Sequence, residues 1–178
     1  MEQSAHLNRR PYSFMRPGSG RAIQPILAQT TVLMATVDSA ISESMRELLG
    51  MFPLKTIWVT AVAEVKAVLA KENVAACFCG FWLVDGTYRD VVRHLKNQPV
   101  EIPAIIVCAP ACPHEYREYL AALKIRAFDF ICHPYRKNDL DRILRAAISN
   151  FRRSEQLQDL AGHSASEPKN ESDLRKAG

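Results

Sequence analysis

The sequence predicts an α/β sandwich of three layers, an open parallel sheet of five strands with helices on both faces. Three observations carry that prediction. Apolar runs alternate with amphipathic segments five times between residues 30 and 151. The run Val74–Cys79 is apolar at every position, as a central parallel strand covered on both faces requires. The segments between the runs place their apolar residues at helical spacing. A chain of 178 residues, 48% hydrophobic and 24% charged, has ordinary soluble composition and is long enough to bury a sizeable core in one domain.

The first strand is expected at Thr31–Val37. A helix follows over Ile41–Phe52, with Ile41, Met45, Leu48, Leu49 and Phe52 on one face and Ser39 as its N-cap. Lys55–Thr60, rich in β-branched and aromatic residues, is the second strand, and Ala63–Lys71 the second helix, with Val65, Val68 and Leu69 inward. After the third strand, Tyr88–Asn97 forms a helix that turns Val91, Val92 and Leu95 inward. Pro99 and Pro103 bracket the approach to the fourth strand, Ala104–Cys108. Pro113 suits the first turn of a helix running through Lys124. Phe128–Cys132 is a short fifth strand, and Asp139–Phe151 the last helix, striped by Leu140, Ile143, Leu144, Ala147 and Phe151. Right-handed crossovers leave few ways to connect these elements, and strand order 2-1-3-4-5 is the flavodoxin-like arrangement. Ligands of such sheets bind beyond the carboxyl ends of the strands, so the residues ending strands 1, 3, 4 and 5 matter most.

Residues 1–29 hold Pro11, Pro17, Gly18, Gly20 and Pro25 and four arginines (Arg9, Arg10, Arg16, Arg21) against one glutamate. They are expected to form a flexible basic lead-in. Residues 152–178 are polar with both signs of charge and read as a tail, able to extend the last helix. No apolar run approaches the roughly 18 residues that span a bilayer, and residues 1–10 are polar and basic rather than secretory. The expected location is the cytoplasm, with no membrane partner. The five cysteines, Cys77, Cys79, Cys108, Cys112 and Cys132, are odd in number and mostly sit in apolar runs, which favours reduced thiols over a disulfide framework.

Four markers, in order, resemble the receiver domain of two-component response regulators over residues 30–151. They are Val32-Leu33-Met34-Ala35-Thr36-Val37-Asp38, Leu83-Val84-Asp85-Gly86, Ile102-Pro103-Ala104-Ile105-Ile106-Val107-Cys108-Ala109, and Ala127-Phe128-Asp129-Phe130-Ile131-Cys132-His133-Pro134-Tyr135. The family's chemistry needs an acidic pair after strand 1 to hold magnesium, a phosphate-accepting aspartate ending strand 3, a hydroxyl ending strand 4 and a lysine ending strand 5. In this chain the acidic pair falls on Thr36 and Val37, the acceptor on Gly80, the hydroxyl on Cys108 and the lysine on His133. A one-residue shift would bring Asp38 into the acidic pair but would supply no acceptor.

The resemblance therefore implies a degenerate pseudo-receiver that keeps the fold of a phosphorelay protein and lacks its chemistry, with no cofactor, no metal and no enzymatic activity. Carboxylates crowded in a pocket repel one another unless cations neutralise them. Their replacement implies a domain that folds without metal. Phe130 takes the place of the family's switch aromatic, and His133-Pro134 replaces the family's lysine-proline, whose cis bond the proline here would allow. Arg126 stands where a turn glycine is usual, so the local turn is expected to differ.

With the pocket silent, function moves to surfaces. The expected partner is another protein or a second copy of the chain, bound through the face of the fourth helix, fifth strand and fifth helix. That face would use Tyr116, Tyr119, Arg126, Arg136, Arg142 and Arg145. Tyr116 and Tyr119 can equally pack inward beside Leu120 and Leu123. The 27 residues from Arg152 are too few for a winged-helix output domain, which argues against nucleic acid as a partner. Two other readings compete. Cys108 and His133 end neighbouring strands and could form a nucleophile–base pair, or bind zinc with Cys112 or His114. The basic N-terminal arm could bind nucleic acid, with strongly salt-dependent affinity.

Overall fold

A computed structural model describes residues 27–109 and 115–164. Along the described chain the elements are β1 (Thr31–Ala35), α1 (Ser39–Leu49), β2 (Lys55–Val59), α2 (Val62–Leu69), β3 (Val74–Cys79), β4 (Trp82–Leu83), β5 (Gly86–Thr87), α3 (Tyr88–Lys96), β6 (Ala104–Val107), α4 (Glu115–Lys124), β7 (Asp129–Ile131) and α5 (Lys137–Ser164). The main sheet runs β2-β1-β3-β6-β7, every pair parallel. This is the predicted flavodoxin-like order. β1, β3 and β6 are buried at every residue, which explains why they carry no polar alternation.

The helices cover the sheet with the residues their periodicity assigned. Ile41, Met45 and Leu49 of α1, Val91, Val92 and Leu95 of α3, and Leu140, Ile143, Leu144, Ala147 and Phe151 of α5 are all buried. In α2, Val62 and Val65 are buried while Val68 and Leu69 pack partly against the core.

Four features depart from the sequence reading. β4 and β5 form an antiparallel hairpin directly after β3; strands of two residues are too short to show a period. The N-cap of α1 is Asp38, not Ser39, because the Asp38 carboxylate accepts the Ile41 amide at 3.0 Å and draws Ser39 into the helix. α5 continues past the expected end at Phe151 to Ser164, through a tail read as able to extend it. Between Phe151 and Gly162 it meets no glycine or proline and is rich in good helix formers.

The fourth departure is at Arg126. The turn after α4 keeps a left-handed residue there, with φ of 59°. Its amide bonds to the Leu123 carbonyl at 2.9 Å, and the Ala127 amide to the Ala122 carbonyl at 3.0 Å, closing the helix end. Arginine thus holds a conformation that glycine adopts without strain. Arg126→Gly is expected to stabilise the domain by about 0.5–1 kcal/mol, the relief of left-handed strain less the added freedom of the unfolded chain. Urea denaturation measures it.

Candidate functional site

The carboxyl ends of β1, β3, β6 and β7 converge at one edge of the sheet, where an open parallel sheet binds its ligands. Gly80 follows β3 and is buried there. A Cβ added to it would lie 2.6 Å from Thr36 Oγ1, 3.2 Å from Thr36 Cβ and 3.6 Å from Ile41 Cδ1. The place of a Cβ at residue 80 is therefore taken by Thr36, with Ile41 in ordinary contact distance, and both are buried. Thr36 is held in place, since its Oγ1 accepts the Asp38 amide at 3.1 Å.

Asp38 is the nearest carboxylate to follow β1, and it serves the backbone as the α1 cap. Asp38→Ala should therefore lower stability by about 1 kcal/mol, the usual loss for a capping side chain, with no change in metal dependence. Paired thermal melts with magnesium and with chelator check both statements. Val37 is exposed. Thr36, Val37 and Gly80 supply no carboxylate, so the site does not fit a magnesium ion, which needs oxygen ligands in octahedral geometry. Among the described residues no group of three or more His, Cys, Asp or Glu could hold a metal.

Cys108, at the hydroxyl position, is buried, and its thiol faces the Ala109 carbonyl at 3.6 Å. His133 is exposed and packs edge-on against Tyr135, ring centroids 5.5 Å apart. A buried thiol and an exposed imidazole give no support to a shared catalytic or zinc site; Cys112 and His114 lie outside the described residues. Cys77 and Cys79 are buried core residues, and burial pushes the Cys77 thiol up to about 12 and the Cys79 thiol well above its ordinary value. The His133-Pro134 bond is cis.

Tyr135 was not singled out by sequence reasoning. Its hydroxyl donates to the Cys108 carbonyl and ties the turn after β7 to the end of β6. Burial pushes its pKa up, and the neighbouring Cys108, Asp38 and Cys132 add to the effect, so it remains a donor. The only sequence signal was an aromatic residue directly after the proline.

In the sequence Asp85 stood out only as part of the marker Leu83-Val84-Asp85-Gly86. In the structure it reaches across to α2, whose N-cap Ala61 has no capping side chain. Its two carboxylate oxygens accept the Val62 and Ala63 amides at 2.5 and 3.0 Å. Gly86 permits this approach, since a Cβ there would meet Val62 Cγ2 at 2.9 Å. Amide donation from Ala63 and Val62 lowers the Asp85 pKa. Glu64, bonded by the Thr60 and Ala61 amides, and Asp90, bonded by Thr87, are lowered in the same way.

A depressed carboxylate pKa adds stability that is present above the unfolded value, near pH 4 or about there, and is lost as pH falls through the folded value. Stability should decline as pH drops below about 4, and Asp85→Asn should make that acid decline shallower. Denaturant midpoints across an acid pH series read both effects.

Phe130 packs partly against the core, between Phe81 at 6.0 Å and Tyr119 at 5.6 Å. Phe81 meets Tyr88 at 5.7 Å in turn, so four rings run from α3 to α4. On the α4–β7–α5 face, Tyr119, Leu120 and Leu123 are exposed, as are Arg126, Arg136 and Arg142. Arg142 lies 3.9 Å from Asp129. Arg145 is half-buried and bonded to Asp141 at 2.8 Å, while its Nη1 is buried with no hydrogen-bond partner. The Tyr116 side chain and the basic residues 1–26 lie outside the described part. No helix among the described residues is long and apolar enough to cross a membrane.

No family model matches the chain, and no curated protein matches its sequence. Solved structures match its fold. A response regulator receiver domain from Methanospirillum hungatei superposes with a TM-score of 0.58 at 17% identity, over 71% of this chain and 98% of that one. The signal receiver domain of a signal transduction histidine kinase from Syntrophus aciditrophicus gives 0.57 at 20%, over 67% and 90%. The receiver domain of a sensor histidine kinase from Pseudomonas aeruginosa, solved with magnesium coordinated in its active-site cleft, gives 0.58 at 18%, over 68% and 99%. The chain has the receiver fold.

Proposed function

We propose that this receiver-fold chain is a degenerate receiver that serves signal transduction through protein–protein contacts, without phosphotransfer and without enzymatic activity of its own. One observation carries the reading. The position from which an acceptor side chain would project is glycine, and the space in front of it is taken by Thr36, with Oγ1 at 2.6 Å from the would-be Cβ. The substitution and the filled pocket are one structural fact, so reversal at a single residue would not reopen the site.

The contact surface in this proposal is the α4–β7–α5 face, occupied by a partner protein or a second copy. Its support is composition and exposure: Tyr119, Leu120 and Leu123 of α4 are exposed, and so are Arg136 and Arg142. Tyrosine and arginine are enriched where binding energy concentrates.

The test is incubation with acetyl phosphate and magnesium, read by intact-protein mass. The reading expects the unmodified mass throughout. A stoichiometric, hydroxylamine-sensitive phosphoryl adduct would sink it.

A further inference from the structure

At the end of the sheet opposite Gly80, the starts of β6 and β7 border a cavity of about 330 Å³. That is within the size range of small-ligand sites. Its wall carries four polar side chains from four separate segments: Lys96 of α3, Glu101 ahead of β6, Arg126 of the α4–β7 turn and Asn150 of α5. Lys96 donates to the Ile125 carbonyl, which fixes its ammonium at the wall. Glu101, Arg126 and Asn150 make no side-chain hydrogen bond or ion pair with another described residue. Glu101 and Arg126 thus share a cavity with opposite charge and do not pair.

The backbone around Arg126 adds a second observation. Its φ of 59° is one that glycine adopts freely and other residues adopt with strain. Three hydrogen bonds fix the turn: Arg126 to Leu123, Ala127 to Ala122, and Phe128 to Ala104, the last at 2.8 Å. A long cationic side chain kept on a rigid turn, against backbone preference and with no internal partner, points to a role for the side chain itself.

We propose that this cavity binds a small hydroxylated oxyanion, a carboxylate or a phosphate. Arg126 and Lys96 hold the anionic head, the guanidinium by paired N–H donors, and the Asn150 amide completes the donor set. Glu101 accepts from the ligand's hydroxyl groups and, by like-charge repulsion, disfavours an anion that has no neutral hydroxylated part to set against it. The site is separate from the filled pocket at Gly80 and does not depend on the reading of that pocket.

The test is an amide NMR titration of the full chain with three probes: glycerol 3-phosphate, glycerate and inorganic phosphate. Saturable shifts at Glu101, Ile102, Ala104 and residues 126–128 with glycerol 3-phosphate, with glycerate, or with both are expected, and which of them binds identifies the head group. Arg126→Gly, which relieves the backbone and so should fold at least as well, is expected to weaken that binding about tenfold or more through loss of the paired charged hydrogen bonds. Glu101→Gln should weaken the hydroxylated probes and leave inorganic phosphate no weaker. Absence of saturable shifts with both hydroxylated probes, binding of inorganic phosphate alone, or unchanged affinity in Arg126→Gly would overturn the proposal.

Discussion

Gly80→Asp is expected to destabilise the domain by roughly 3–5 kcal/mol and to restore no phosphorylation. Two effects add. The new Cβ meets Thr36 Oγ1 at 2.6 Å, and Thr36 cannot rotate away without losing the bond from the Asp38 amide that shapes the start of α1. Overpacking of this kind costs about 1–3 kcal/mol. The carboxylate then sits in a buried place with no lysine on β7 and no magnesium site beside it, and an unpaired buried charge adds the remainder. Gly80→Ala isolates the first effect. Combined with Thr36→Ala it should lose less stability than the sum of the two single changes, because the second removes the atom that the first strikes. Denaturation of the four proteins in this cycle gives the coupling, and strict additivity would show that Thr36 does not fill the pocket.

Ile41→Ala is expected to lower stability by about 2–5 kcal/mol, the range for a buried aliphatic truncated to alanine. Ile41 is 2% exposed and its Cδ1 lies 3.6 Å from the Cβ position at Gly80, so it packs α1 against the end of β3. It also sits in the first turn of α1, and its amide is the one that Asp38 caps. Truncation leaves a void between α1 and the ends of β1 and β3, while the cap, a backbone interaction, survives. The loss should therefore appear in stability and leave the helical content of the folded state unchanged. Urea denaturation followed by circular dichroism separates the two.

The fold was readable because its signals are local. A continuous apolar run such as Val74–Cys79 and a 3.6-residue stripe such as Leu140–Phe151 each report their own burial, and the five strands paired in the order that right-handed crossovers favour. The substitution at Gly80 was readable through the resemblance. What Gly80 faces was not, because the contact with Thr36 is made across two strands that are parallel neighbours.

Asp38 and Asp85 show the same limit. Asp38 was weighed for the acidic pair and Asp85 only marked a loop, yet each is occupied by helix amides, one on its own helix and one on a helix 22 residues earlier in the chain. Tyr135 closes the end of β6 from 27 residues away, a pairing with no sequence period. At Arg126 the residue type suggested an altered turn, but the hydrogen bonds of the helix end kept the left-handed conformation and left arginine to bear the strain.

In a degenerate receiver of the kind proposed, the carboxyl edge of the sheet is closed to metal and phosphoryl group alike. An amide NMR titration with magnesium and then beryllofluoride, a phosphoryl mimic, reads that edge residue by residue. The proposed reading expects no saturable shift at Thr36, Val37, Asp38, Gly80 or Cys108. Saturable, magnesium-dependent shifts at those residues would contradict it.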